Sequence, residues 1–173
     1  MDYDSIIYFI ETNKSNIILL FPIGPPGSGK TTLKNLLINK IKDRIVIAPS
    51  RDDIYKKYRV NNGIKKTRHL THNEMVNSVK NLDSNNKYLI YIDSTNSNCG
   101  IRIHYINLIN PDIVRNICFH TKHLDNPIDY LLNRIIGRFH PTFPIDKDEK
   151  IKIINTIINS IDYPLINNFN IYI

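Results

Sequence analysis

The sequence has few of the features that mark membrane or disulfide-stabilised proteins. Its two cysteines, Cys99 and Cys118, are too few for a disulfide scaffold or, by themselves, for a structural zinc site. The longest uninterrupted apolar run, residues 17–21, is far shorter than the ~20 residues that cross a bilayer. No basic stretch followed by an apolar one stands at the N-terminus, as in a secretory signal. We therefore expect a soluble, cytoplasmic protein that does not associate with membranes.

Internal repeats and linker-like segments are also absent. No stretch is rich in Gly and Ser or in Pro, and no motif recurs with a period of about 20–50 residues. A chain of 173 residues therefore predicts one domain with a substantial core. Its 23 Lys and Arg residues outnumber 16 Asp and Glu residues, which gives a net charge of +7. This charge favours polyanionic partners, namely nucleic acid, nucleotides or acidic membrane, without choosing among them.

The apolar pattern predicts strands that alternate with helices. We expect strands over 16–23, 44–48, 88–92, 113–120 and 169–173, and helices over 2–14, 31–43, 127–137 and 146–161. The polar and basic stretch 50–80 should hold one or two further helices. This alternation is typical of βαβ units and predicts an α/β fold with a three-layer parallel sheet.

One segment matches a phosphate-binding loop. Residues 24–32 read GPPGSGKTT, which fits G-x-x-x-x-G-K-[ST] between a predicted strand and a predicted helix. Glycines allow successive backbone N–H groups to point at phosphate oxygens, and the positive end of the following helix adds to the attraction. Lys30 should reach the β- and γ-phosphates, and the Thr31 hydroxyl should coordinate Mg²⁺. We therefore predict a P-loop NTPase fold that binds a nucleoside triphosphate together with Mg²⁺, with Gly24, Gly27, Ser28, Gly29, Lys30, Thr31 and Thr32 at the nucleotide.

A phosphate loop alone does not identify the reaction. The chain is too short for the machinery of a motor, and the guanine-reading motif Asn-Lys-x-Asp is missing. A compact kinase of the adenylate-kinase-like type is therefore the interpretation that the size favours.

Carboxylates follow two of the predicted strands. Residues 49–53 read Pro-Ser-Arg-Asp-Asp, and residues 92–96 read Ile-Asp-Ser-Thr-Asn. Active sites of open α/β sheets lie beyond the carboxyl ends of the strands. We predict Asp52 as the base that accepts the proton of the acceptor hydroxyl, and Asp93 as a ligand of the Mg²⁺ shell or an organiser of the site. The alternatives are a helix N-cap for Asp52 or Asp53 and an Asx turn for Asp93.

Two arginines are spaced to share one face of a late helix. Arg134 and Arg138 stand four residues apart, just before the proline-containing segment 139–144. We predict a lid around 127–144 that closes over the triphosphate, with both guanidinium groups at the nucleotide, where they neutralise charge that develops on the transferred phosphoryl group. The alternative is a solvated basic face.

The motifs together resemble those of the polynucleotide 5′-kinase family. GPPGSGKTT, SRDD, IDSTN and R-x-x-x-R occur in the order and approximate spacing of that family along nearly the whole chain. The resemblance implies transfer of the γ-phosphate of ATP to the 5′-hydroxyl of RNA or DNA ends, in repair or processing of nucleic acid. It implies that Asp52 activates that hydroxyl and that Arg138 contacts the reacting phosphate. It also implies substrate contacts by Arg51, Asp53, Arg59, Asp93 and Thr95, and substrate or structural contacts by Asn96 and Arg102.

The sequence departs from the family at one substrate position. Some members carry an arginine three residues after the catalytic aspartate, where this chain has Tyr55. Lys56, Lys57 or Arg59 would have to take over its contact with the substrate.

A basic belt follows Asp52. It comprises Lys56, Lys57, Arg59, Lys65, Lys66 and Arg68, with Tyr55 and Tyr58 between them. It is either a groove for a nucleic-acid backbone, with the tyrosines available for base stacking, or a solvated helix face. The pairs His69/His72 and His120/His123 lack further ligands at zinc spacing, and we expect surface histidines.

Two other functions stay open at this point. One is a P-loop kinase of a small molecule, such as a nucleoside, a nucleotide or, as in zeta-type toxins, a sugar nucleotide. The other is a nucleotide-binding module without catalytic activity. The basic composition disfavours the first, because a small acceptor needs no extended positive groove, and the intact Lys30, Thr31, Asp52 and Asp93 disfavour the second.

Overall fold

A computed structural model describes residues 3–121, 124–135, 146–164 and 168–172 of the chain. Within these residues helices and strands alternate almost throughout. The helices are α1 (Tyr3–Thr12), α2 (Lys30–Lys40), α3 (Arg51–Arg59), α4 (Ile64–Asn77), α5 (Cys99–Ile109), α6 (Pro127–Ile135) and α7 (Lys147–Ser160). The strands are β1 (Ile17–Ile23), β2 (Ile45–Ile47), β3 (Tyr88–Tyr91), β4 (Ile113–His120) and β5 (Asn168–Tyr172).

The five strands form one parallel sheet in the order β2-β3-β1-β4-β5. The central strand β1 is nearly continuous in apolar residues, as expected for a strand that is covered on both faces. The chain moves to one side of β1 for β2 and β3 and to the other side for β4 and β5. Ligands of open α/β sheets bind where the strand order reverses in this way, at the carboxyl ends of the strands.

Side chains of β1 alternate between the two hydrophobic cores. Ile18 and Leu20 pack in the core beneath α1 and α2, whereas Leu19 and Phe21 pack in the core on the other face. That second core takes in Met75 of α4 together with Tyr105 and Ile109 of α5. The arrangement confirms the predicted α/β fold with a parallel three-layer sheet. No helix in the described parts of the chain is long and apolar enough to span a bilayer.

Helix α5 is the main element that the sequence pattern did not predict. Its isoleucines at 101 and 103 alternate with polar residues as in a strand, and both are exposed. The buried face is formed by Arg102, Tyr105 and Ile109, so an arginine occupies a position where helix patterns normally show an apolar residue. Asn98 caps the helix by accepting a hydrogen bond from the N–H of Gly100 at 2.6 Å.

Several predicted boundaries differ by a few residues. The stretch 50–80 forms the two helices α3 and α4, β2 is reduced to three residues, and α2 ends at Lys40 rather than at 43. The predicted end of α6 at residue 137 lies outside the described residues.

Candidate active site

The phosphate loop connects β1 to α2 in a conformation that depends on its glycines. Gly27 and Gly29 have φ angles of 80° and 104°, a region that L-residues rarely adopt. A Cβ atom on Gly24 would lie 2.8 Å from the Cβ of Phe119 and 2.9 Å from the Oγ of Ser28. The Tyr91 hydroxyl donates to the carbonyl of Lys30 at 2.8 Å and so holds the first turn of α2 against β3.

Lys30 folds over the carbonyl groups of the loop. Its Nζ donates to the carbonyl oxygens of Gly24 at 2.8 Å and Pro25 at 2.7 Å. Burial lowers the pKa of the Lys30 ammonium to about 8, and the nearby carboxylates of Asp93 and Asp52 oppose that change. An anion placed beside Lys30 would favour its charged form.

Strands β2 and β3 stay paired beyond their ends. The N–H of Arg51 donates to the carbonyl of Asp93, and the N–H of Asp93 donates to the carbonyl of Pro49, both at 3.1 Å. Helix α3 starts at this point, capped by the hydroxyl of Ser50, which accepts from the N–H of Asp53. The alternative that Asp52 or Asp53 is the cap is therefore wrong, and Asp52 lies in the first turn.

A buried ion pair joins α2 to the end of β3. The Nζ of Lys34 lies 2.8 Å from the Oδ2 of Asp93, and both side chains are less than 10% exposed. Asp53, which is exposed, approaches the same Nζ at 3.7 Å. Lys34 was not predicted as a site residue, although it stands one helical turn after Lys30 and therefore lies on the same side of α2. The contact supports the site-organising alternative for Asp93.

Asn96 and Arg102 hold the loop that follows β3. The Nδ2 of Asn96 donates to the carbonyls of Pro22 at 3.0 Å and Ile92 at 2.7 Å, which ties β1 to β3. Arg102 donates to the carbonyl of Asn96 at 2.7 Å and lies 3.3 Å from the carboxylate of Asp162. Asn96 and Arg102 are buried, so these contacts favour the structural alternative over substrate contact.

These elements surround a cavity of about 250 Å³ above the phosphate loop, here called the loop cavity. It brings together α2, the first turn of α3, the end of β3, α6 and α7. Its lining comprises Pro26, Gly27, Gly29, Lys30, Thr31, Thr32, Arg51, Asp52, Asp93, Ser94, Thr95, Arg134, Ile135, Ile153 and Ile157. Among the predicted site residues that the structure describes, six lie outside this lining: Gly24, Ser28, Asp53, Arg59, Asn96 and Arg102.

Arg134 enters the loop cavity from the last turn of α6. Its Nη1 donates to the Tyr130 hydroxyl at 2.8 Å, and its guanidinium lies 5.5 Å from the centre of the Tyr130 ring. It also lies beside Gly29. Arg134 lines the cavity, and within the described residues no carboxylate forms an ion pair with it. Arg138 and the second half of the predicted lid, residues 136–144, lie outside the described residues, and their roles stay predictions.

A second cavity of about 690 Å³, the α4–α5 cavity, adjoins the first. The two share Arg51, Ser94, Thr95 and Ile157. The other lining residues are Arg68, Thr71, His72, Met75, Asn96, Ser97, Asn98, Gly100, Ile101, His104 and Tyr105. The proximity of His72 and His104 could not be predicted from local patterns, because α5 was not predicted.

The structure corrects the interpretation of the basic belt. Tyr55 is buried, and the half-buried Tyr58 donates its hydroxyl to Glu74 at 2.5 Å, so these contacts disfavour the alternative of a groove in which both tyrosines are available for stacking. Lys57 pairs with Glu74 at 2.8 Å, and Arg59 donates to the carbonyl of Asn62. Lys56, Lys57 and Arg59 line neither cavity. Lys65, Lys66 and Arg68 form an exposed basic edge on α4.

The other histidines and the two cysteines do not form a metal site within the described residues. His120 was expected at the surface but is partly buried, stacked between Tyr163 and Tyr172 at ring distances of 4.6 and 5.3 Å. His123 lies outside the described residues. Cys99 and Cys118 are free thiols. The described residues contain no cluster of three or more His, Cys, Asp or Glu side chains able to hold a metal ion.

The loop cavity nevertheless offers oxygen atoms of the kind that Mg²⁺ prefers. The Thr31 hydroxyl and the Asp52 and Asp93 carboxylates all line it. Because Asp93 is already paired with Lys34 at 2.8 Å, it fits a metal shell through a water molecule better than by direct contact. A cation bridged to phosphate oxygens is usually held by one or two carboxylates, so this set fits Mg²⁺ bound together with a triphosphate.

Comparison with known proteins supports the fold. No protein-family model matches the sequence, and no curated protein matches it significantly. Among solved structures, a chain of the Pnkp1/Rnl/Hen1 RNA repair complex aligns with 87% of this chain at a TM-score of 0.60 and 18% identity. This chain spans less than half of that longer chain, 46%.

Two further structures match over most of both chains. Kti12 of Chaetomium thermophilum, in complex with ADP-AlF3, aligns with 90% of this chain and 88% of its own length, at a TM-score of 0.54 and 16% identity. A gluconokinase from Sinorhizobium meliloti aligns with 91% of this chain and 82% of its own length, at a TM-score of 0.54 and 11% identity. The chain thus has the α/β P-loop NTPase fold found in P-loop kinases, and the resemblance predicted from the motifs is supported at the level of the fold.

The buried ion pair gives a stability prediction. Lys34→Met leaves the Asp93 carboxylate buried without its partner, and we expect it to lower the free energy of unfolding by about 3–5 kcal/mol. Urea denaturation measures the change, with Lys40→Met as control, because Lys40 is an exposed residue at the end of the same helix. A loss no larger than that of the control would contradict the role given to the pair.

The lowered pKa of Lys30 gives a pH prediction. At about pH 8.5 much of Lys30 is neutral in the free protein, because its pKa is about 8. A bound triphosphate favours the charged form, so ATP binding should take up a fraction of a proton, and this uptake should fade as the pH falls below 8.

Calorimetric titrations in two buffers of different ionisation enthalpy measure this proton uptake. Lys30→Arg is the control, because a guanidinium group stays charged at this pH. Equal uptake by the variant and the wild type, or no uptake by the wild type at about pH 8.5, would contradict the prediction.

Proposed function

We propose that the protein is an ATP-dependent kinase that phosphorylates the 5′-hydroxyl ends of RNA or DNA. The observation that carries the proposal is the junction of two cavities beside Asp52. The loop cavity is lined by the cations and oxygen atoms suited to a triphosphate, and the α4–α5 cavity shares Arg51, Ser94 and Thr95 with it. A donor in the first cavity and an acceptor in the second would meet at this junction.

The chemistry follows from the residues of the loop cavity. The acceptor oxygen attacks the γ-phosphorus, its proton passes to the Asp52 carboxylate, and the bond between the γ-phosphorus and the bridging oxygen breaks to release ADP. Lys30 and Arg134 neutralise negative charge on the phosphates during the transfer. Mg²⁺ bound at Thr31 and, through water, at Asp93 would supply further positive charge to the β- and γ-phosphates.

Three features favour a nucleic-acid acceptor. Arg51 and Arg68 line the α4–α5 cavity, whereas no acidic side chain among the described residues does. Lys65 and Lys66 extend this positive charge along α4. The similarity to a chain of an RNA repair complex agrees with such an acceptor. A small-molecule acceptor is the second candidate, because the gluconokinase is matched over 82% of its own length.

The test is the transfer of labelled γ-phosphate from ATP, with Mg²⁺, to a panel of acceptors. The panel holds 5′-hydroxyl oligoribonucleotides and oligodeoxynucleotides, the same oligomers already phosphorylated at the 5′ end, nucleosides, nucleotides and gluconate. We expect label on the 5′-hydroxyl oligomers alone. Label confined to the small molecules would favour the second candidate and overturn the proposal.

Asp52→Asn completes the same experiment. Removal of a general base should lower the transfer rate by about 10²–10⁴-fold while ATP affinity changes little. Asp148→Asn is the matched control, because Asp148 is also the second residue of its helix, is exposed, and lines neither cavity. Transfer that survives in Asp52→Asn would show that the base is another group.

A further inference from the structure

The α4–α5 cavity contains a small surface of aromatic rings. The rings of His72 on α4 and His104 on α5 lie 5.6 Å apart between centroids, at an interplanar angle of 36°. The ring of Tyr105 lies 5.6 Å from that of His104, nearly at right angles. Tyr105 is buried in the core, whereas both histidines are exposed and line the cavity. Two exposed rings therefore lie side by side in the cavity, and one of them, His104, packs on a buried tyrosine.

Apart from these ring contacts, no polar contact within the described part of the chain holds the two histidines. Neither His72 nor His104 forms a hydrogen bond or ion pair within the described part of the chain, whereas His69, on the same helix, contacts the amide of Asn73 at 3.1 Å. Exposed planar rings are the surfaces on which nucleobases stack in proteins that bind single-stranded nucleic acid. The ring pair is open to a ligand of that shape.

The positive charge around the rings indicates that the ligand also carries an anionic group. Arg68 stands one helical turn before His72 on α4, so both side chains are on the same side of the helix. Arg68 and Arg51 line the cavity, and no acidic side chain within the described residues does. Its volume of about 690 Å³ lies in the range of ~300–1,000 Å³ common for ligand sites. A planar group joined to a phosphate, as in a nucleotide, matches this combination.

We infer that His72 and His104 form the stacking surface for the base of the acceptor's 5′-terminal nucleotide, with Arg68 beside its backbone. The inference rests on the proposed function and adds to it the place where the end of the acceptor is held. Stacking requires only a flat ring face, so the surface should accept all four bases with modest preferences. The base would keep the terminal hydroxyl at the junction with the loop cavity.

The test compares two 5′-hydroxyl oligonucleotides that differ only in their first nucleotide, one normal and one abasic. Base stacking on aromatic side chains corresponds to roughly a 5- to 150-fold effect. We therefore expect the wild type to show kcat/KM about 5- to 150-fold lower for the abasic oligonucleotide. The double variant His72→Ala/His104→Ala should lose this discrimination and treat both oligonucleotides like the abasic one.

Two further variants separate stacking from a structural role. His72→Phe/His104→Phe keeps planar rings and should restore discrimination, which a merely structural role would not predict. His69→Ala is the matched control on α4, because His69 is exposed and lines neither cavity, and it should behave as the wild type. The KM for ATP should stay within about twofold in all variants, because the rings lie outside the loop cavity.

The outcomes distinguish a failure of the stacking surface from a failure of the proposed kinase function. Equal kcat/KM of the wild type for both oligonucleotides, or discrimination that persists in the double alanine variant, would overturn the stacking surface and leave the kinase proposal standing. A KM for ATP that rises in the double alanine variant would assign the rings to the donor nucleotide and overturn the inference. No transfer to any oligonucleotide would overturn the proposed function and the inference with it.

Discussion

The buried ion pair between Lys34 and Asp93 connects the parts of the site to one another. Through its side chain, Asp93 binds the helix that follows the phosphate loop, at 2.8 Å. Through its main chain, it pairs with Pro49 and Arg51 and so fixes the start of α3, where Asp52 lies. The residues that directly follow Asp93 line both cavities. Separation of this pair would therefore disturb the donor side, the proposed base and the acceptor side together.

Charge is distributed differently in the two cavities. The loop cavity combines Lys30 and Arg134 with the carboxylates of Asp52 and Asp93, a mixture suited to phosphates, a divalent cation and a proton acceptor. The α4–α5 cavity has cations and aromatic rings without a carboxylate from the described residues. This difference is the physical basis for assigning the triphosphate to the first cavity and an anionic acceptor to the second.

Local patterns predicted the fold and many of the residues that line the loop cavity, because their signals lie within short stretches. Neighbouring residues in the sequence are enough to recognise the apolar run of β1, the phosphate loop and the charged strand ends. The acceptor side depends on long-range packing. Helix α5 was not recognised because Arg102, a charged residue, lies on its buried face. Without α5, the sequence does not predict that the rings of His104 and His72 are in contact. Tyr55 looked available for stacking, but the packing of α3 buries it.

The most direct test of the account is the structure of the protein bound to Mg²⁺, a non-hydrolysable ATP analogue and a 5′-hydroxyl oligonucleotide. The account predicts the γ-phosphate at Lys30 and Thr31, and the terminal hydroxyl within about 2.6–3.2 Å of the Asp52 carboxylate. It also predicts that the oligonucleotide enters through the α4–α5 cavity. An oligonucleotide whose 5′ end lies away from Asp52, or an analogue whose γ-phosphate lies away from Lys30, would contradict it.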